Sequence, residues 1–184
     1  MMRRNRTRAI APNEEDFARG TKVSSLIDWG ADGHSGTVRD ELGAVRWQYG
    51  VRNNRFGRHP GNPFNKADFV LTEPDARDEL IIRRASFVPS VFSIIEAGRV
   101  IGKIRMRSIF RNKYSIDIDG MNSWTFRMPL FTVRFFGDSS AGTEIWVVVG
   151  RSKMEWNILI KPDVKERPLV AALTFIHTEW WNYG

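Results

Sequence analysis

Cysteine is absent from the 184 residues. Disulfides, thiolate metal sites and cysteine nucleophiles are therefore excluded, and a reducing compartment suits the chain. Histidine is scarce: His34, His59 and His177 are the only three, and they lie far apart in sequence. No apolar run reaches the ~20 residues a membrane-spanning helix needs. The start, MMRRNRTRAI, is Arg-rich but has no apolar stretch of the kind a secretory signal carries. Glu14, Glu15 and Asp16 follow too soon for an acid-poor transit peptide, so a cytoplasmic protein is expected. No tandem repeat of fixed period is visible, which argues against a propeller or solenoid.

What is present is a large supply of core material. Hydrophobic residues make up 42% of the chain, with seven Trp and twelve Phe. Each such ring hides on the order of 150–250 Å² when buried, so one full core is expected. Residues 1–44 lack periodicity and read as a basic, largely irregular arm. From Val45 the texture changes to short apolar runs separated by Gly, Asn, Asp and Pro, the pattern of an all-β barrel or sandwich. Strands are expected at 45–51, 67–73 and 79–85. A hairpin follows over 90–108, bending at Ala97–Gly98. In its second arm Val100, Ile104 and Met106 share one parity, and Arg99, Lys103, Arg105 and Arg107 the other. Successive side chains of a strand point to opposite faces, so this arm is apolar inside and basic outside. Further strands are expected within 113–120 and at 123–128, 130–136, 143–150 and 153–161. Their short connections make sequence neighbours antiparallel.

The tail PLVAALTFIHTEWWNYG (168–184) is apolar on nearly every side when wound as a helix. Such a helix is buried in protein or in lipid. Over 168–181 it would span roughly 20 Å, short of the ~30 Å bilayer core. His177 and Glu179 lie well inside it. The expected fold is thus mainly β: a closed antiparallel barrel of about 10–12 strands, spanning 45–184, around a buried C-terminal helix at 168–181.

That order of elements, carried by FSIIEAGRVIGKIRMRS, KYSIDIDG and LVAALTFIHTEWWNYG, resembles the tubby C-terminal fold. That superfamily also takes in the LURP-one-related proteins and the phospholipid scramblases. The resemblance covers about Val45 to Gly184 and implies a barrel threaded by its last helix. Scramblases have an acylated Cys cluster and an acidic calcium loop before that helix. Here Cys is absent, and KPDVKERP offers only Asp163 and Glu166 among cations, whereas calcium takes six to eight oxygens. Scrambling is therefore not implied. Tubby proteins bind phosphoinositide headgroups through Lys and Arg, and the resemblance implies that theme without a residue-by-residue match.

Candidate chemistry is thin. GDSSAG (137–142) lacks the spacing of a nucleophile elbow and reads as a hairpin loop. GADGHSG (30–36) is no dinucleotide fingerprint. Asp28, Asp32 and His34 have no known ligand spacing and read as part of a Gly-rich arm. His177 reads as a core histidine with one hydrogen bond, and Glu179 as a residue near the barrel mouth or paired with an inward Arg. No enzyme activity, cofactor or metal is expected. The basic features are better candidates for a site. One is the outward row Arg99, Lys103, Arg105 and Arg107, continuing to Arg111 and Lys113. Its plainer account is pairing with Asp117 and Asp119 on the next strand. Another is the loop 51–66, with Arg52, Arg55, Arg58 and Lys66 and no acid. A third is the arm's Arg3, Arg4, Arg6 and Arg8. With a net charge of +7, these point to anionic lipid headgroups at a membrane surface. A nucleic-acid or protein adaptor is the alternative, as is a structural module without a small ligand. Tyr114, Trp124 and Trp156 fall on inward rows and only Phe56 and Phe64, both in the basic loop, do not, which leaves the stacking half of a single-strand-binding signature weak.

Overall fold

The structure, a computed structural model, describes residues 14–28, 35–52, 67–74, 78–86, 90–108, 113–127, 134–150, 154–162 and 164–183. Twelve strands follow one another round a closed antiparallel barrel. They are β1 (Thr21–Asp28), β2 (Ser35–Asp40), β3 (Val45–Arg52), β4 (Asp68–Thr72), β5 (Glu79–Ser86) and β6 (Ser90–Glu96), then β7 (Arg99–Ser108), β8 (Lys113–Ile118), β9 (Ser123–Arg127), β10 (Arg134–Ser139), β11 (Gly142–Val149) and β12 (Glu155–Ile160). β12 pairs with β1 and closes the ring, which removes every sheet edge. One helix, α1 (Glu166–Tyr183), follows.

Period-two alternation makes the wall two-sided. Tyr114, Ile116 and Ile118 of β8, Trp124 and Phe126 of β9, and Trp156, Ile158 and Ile160 of β12 are all buried. Residues 169–179 of α1 are buried without a break. Phe175 lies 5.6 Å from Phe69 of β4 and 4.7 Å from Phe92 of β6, centroid to centroid. His177 stacks on Trp156 of β12 at 4.2 Å, and its Nδ1 is 3.2 Å from the Ser25 hydroxyl of β1. Contacts on opposite sides of the ring place the helix inside it. The buried hydroxyls of Thr174 and Thr178 donate to helix carbonyls, Thr178 to Thr174 at 2.7 Å, so they need no partner from the wall. No helix among the described residues is long and apolar enough to cross a membrane.

The helix enters through a polar collar. Glu166 accepts from Arg46 at 2.5 Å and from the Thr21 hydroxyl at 2.5 Å. Arg167 donates to the Asp78 carbonyl at 2.7 Å and stands 3.4 Å from Glu96. A carboxylate in the first turn also suits the positive end of the helix dipole. Pro168 sits in that first turn, where its missing N–H costs nothing.

Three sequence expectations are corrected. First, residues 21–28 and 35–40 are not irregular: they are β1 and β2, and they close the barrel. Their alternation is faint because two inward positions are Ser25 and Gly36. Ser25 faces His177. At Gly36 a Cβ would lie 2.3 Å from the Tyr49 ring, so only glycine fits. A 3-10 turn before β1, Glu14–Phe17, is held from outside: Phe17 is fully buried, 6.2 Å edge-on to Trp146, with the Lys161 ammonium 5.7 Å from its ring. Residues 1–13, with the Arg cluster, lie outside the described residues.

Second, Val100 does not point inward. It is 46% exposed. The β6–β7 register slips between Ile94 and Ile95, so Ile94 faces Gly102 but Ile95 faces Val100. The extra residue, Ile101, forms a bulge that reverses parity below it. Arg99 is thereby taken off the outward row. It joins Glu96, Lys165 and Arg167 around a hollow at the helix entrance. The tight turn between these strands has Ala97 at φ 48 and Gly98 at φ 77. Third, the stretch 137–142 is mostly strand, with the turn confined to Ser140–Ala141. Gly137 points inward, where a Cβ would sit 2.4 Å from the Phe126 ring.

Candidate anion-binding face

Odd-numbered strands run away from the end where α1 enters, and even-numbered strands return. Arg52, Lys113, Arg127 and Arg134 therefore stand at the far rim, at strand ends or starts. Two stretches of outer wall near that rim treat their cations differently.

On β3–β5 each outward arginine named here has its acid. Arg52, the last residue of β3, reaches across β4 to Glu79 in a two-pronged pair, one prong of 2.6 Å. That hydrogen bond holds the Glu79 carboxyl below its ordinary value and raises the Arg52 guanidinium. Arg83 grips Asp68 through Nε at 2.6 Å and Nη2 at 2.7 Å. This parallel fork is the strong form of a charge-assisted bond. It raises the Arg83 pKa, by the hydrogen bond first and the Asp68 charge second. Asp68 itself is only 5% exposed.

On β7–β9 the arrangement is different. Lys103 faces Asp117 in register, but the Asp117 carboxylate is taken by Arg105. Lys113 of β8 faces Arg127 of β9 directly. Among the described residues, Lys103, Lys113 and Arg127 make no ion pair. Directly opposed side chains stand about 4.5–5.5 Å apart at Cβ, and like charges there repel. Arg134 begins the next strand and is exposed, its guanidinium 5.8 Å from the Trp146 ring. An anion with several acceptor oxygens would relieve the repulsion by accepting from two or three of these donors at once.

Of the site residues read from sequence, Lys103 and Lys113 lie on this unneutralised face. Arg105 lies on it but is engaged by Asp117. Arg52 is engaged by Glu79, and Arg99 belongs to the helix entrance. Arg107 is in β7, but its side chain lies outside the described residues, as do Arg111, Arg55, Arg58 and Lys66 altogether. Among the described residues of the row, the plainer account, pairing with the acids of the next strand, holds for Arg105 alone. Arg127 was missed although Trp124–Phe126–Arg127 has the same parity signal as β7. Among the described residues, no three His, Cys, Asp or Glu side chains group closely enough for a metal ion. Comparison of the chain with protein-family models, curated proteins and solved structures finds no match.

Proposed function

We propose that this barrel is a non-enzymatic docking module that binds phosphorylated lipid headgroups on anionic membrane surfaces, acting from the cytoplasm as a peripheral protein. The observation that carries the reading is the Lys113–Arg127 pair: two cations opposed across β8–β9 that, like Lys103 of β7, whose facing Asp117 is taken by Arg105, make no ion pair among the described residues. Each cation near an anionic bilayer contributes about 1 kcal/mol. The resemblance to tubby-like barrels is in keeping with this role, and we propose kinship on the same footing. A nucleic-acid adaptor is less favoured: Tyr114, Trp124 and Trp156 are all buried and offer no stacking surface.

Vesicle co-sedimentation tests the reading. Binding should rise from neutral to phosphatidylserine to phosphoinositide vesicles and weaken with salt. Equal binding to neutral vesicles, or none at low salt, rejects it. A steep salt slope with single-stranded oligonucleotides, but no vesicle binding, would favour the adaptor.

A further inference from the structure

An apolar row crosses the outer wall of β10–β12. In register, Phe136 of β10 faces Trp146 of β11, and Trp146 faces Leu159 of β12. These three point outward, because their neighbours Phe135, Ile145, Val147, Ile158 and Ile160 belong to the core. Trp146 is nonetheless only 5% exposed. What covers it is part of the chain itself. Phe17, carried on the 3-10 turn Glu14–Phe17, packs edge-on to the indole and is fully buried. The rest of this strap is exposed at Glu15, Ala18 and Arg19. Its backbone hydrogen bonds among the described residues, Ala18 to Glu15 and Gly20 to Phe17, are internal and add nothing to its hold on the wall. β1 begins at Thr21, paired with Ile160, so Phe17 can lift from the wall without disturbing the sheet.

The polar groups around this socket are donors. The Trp146 Nε1–H is buried without a hydrogen-bond partner among the described residues. The Arg134 guanidinium lies 5.8 Å from the Trp146 ring, and the Lys161 ammonium 5.7 Å from the Phe17 ring. Neither cation makes an ion pair among the described residues. None of the three groups can accept a hydrogen bond. The acid two residues before Trp146, Glu144, has its carboxylate taken by Trp124 at 2.7 Å and by Asn122. A phenyl ring fills the socket but leaves the buried N–H unmet, which is costly. Three acids, Glu14, Glu15 and Asp16, directly precede that ring in sequence. The occupant in place thus shows what the socket selects: an aromatic side chain adjoining anionic residues. A locally anchored segment of this kind opens at low cost, and a ligand with a better-placed acceptor displaces it. We infer that the Phe17 strap is an autoinhibitory plug, and that the Trp146 socket binds an acidic, aromatic-bearing segment of a protein partner once the strap lifts. The inference does not rest on membrane docking, although Arg134 borders both sites.

Because the chain has no cysteine, Ala18→Cys, at an exposed strap position, can carry a single fluorophore. The probe is the chain's own segment as a free peptide, APNEEDFARG (residues 11–20). Added to the labelled full chain, it should lower the anisotropy of the label as the strap is displaced. Peptides carrying Phe17→Ala, or Glu14→Gln with Glu15→Gln and Asp16→Asn, should not. In the full chain, Phe17→Ala should keep its circular dichroism. It should bind the peptide on the order of tenfold more tightly than the unmodified protein, whose tethered strap competes at a roughly millimolar effective concentration. No displacement at peptide concentrations above that value, or a folded Phe17→Ala that ignores the peptide, overturns the inference. Equal displacement by the acid-free peptide overturns the choice of an acidic partner. A concentration-dependent dimer of the unmodified protein that Phe17→Ala abolishes assigns the socket to the strap of a second copy instead.

Discussion

The β3–β5 wall and the β7–β9 wall both carry outward cations, and they differ in what those cations face. Arg52 and Arg83 are each locked to a carboxylate by two contacts. Lys103, Lys113 and Arg127 face a borrowed acid or one another. The first arrangement ties neighbouring strands together. The second leaves, among the described residues, an unbalanced field that a ligand or counter-ions would neutralise. A count of Lys and Arg along the chain does not distinguish them. Cross-strand register does.

The comparison can be broken most sharply by removing the unmatched cations. The triple variant Lys103→Ser, Lys113→Ser, Arg127→Ser should weaken anionic-vesicle binding on the order of a hundredfold, at about 1 kcal/mol per cation. Its urea midpoint should hold or rise, since repulsion is lost. Arg52→Ser with Glu79→Ser should leave binding nearly unchanged, and a large loss there would erase the distinction. Next in size, Asp68→Ala should cost about 2 kcal/mol of stability in urea unfolding, because two hydrogen bonds to a charged group go with it. The corresponding change on the other wall, Asp117→Asn, should cost less than about 1 kcal/mol. It frees Arg105, so vesicle binding should strengthen severalfold. If Asp117→Asn proves the more damaging of the two, the walls have been misassigned.

The smallest effect is a matter of pH. The folded state holds the Glu79 carboxyl below its ordinary value near 4.5. Its contribution is therefore present above that pH and lost as pH falls through the lowered folded value. Glu79→Gln should lower the melting temperature slightly at neutral pH, with the gap from the unmodified protein closing in acid. A gap that widens in acid would contradict the pairing.

Most of the barrel was legible because its inward residues are large. Trp124, Phe126, Trp156 and Ile158 mark their strands by alternation alone. The helix was legible because it is apolar all round yet too short for a bilayer. β1 and β2 were not, because the core asks for small residues there: Ser25 beneath His177 and Gly36 beneath Tyr49. The bulge at Ile101 was hidden too, since one inserted residue reverses parity without changing composition. It moved Arg99 to the helix entrance and Val100 into solvent. As for the site, parity sufficed to place Lys103 and Arg105 outward. It could not say which of them Asp117 would take. Nor could it bring Arg52 to Glu79, since that contact crosses an intervening strand.

Amine footprinting reads the contrast between walls in one measurement, because lysines sample several sides of the barrel. Lys103 and Lys113 stand on the β7–β9 wall, Lys22 on β1 and Lys165 at the helix entrance. With phosphoinositide-containing vesicles, Lys103 and Lys113 should be protected from an amine-reactive reagent, while Lys22 and Lys165 react as they do in free solution. Protection spread evenly over all four, or confined to Lys22 and Lys165, would contradict the account.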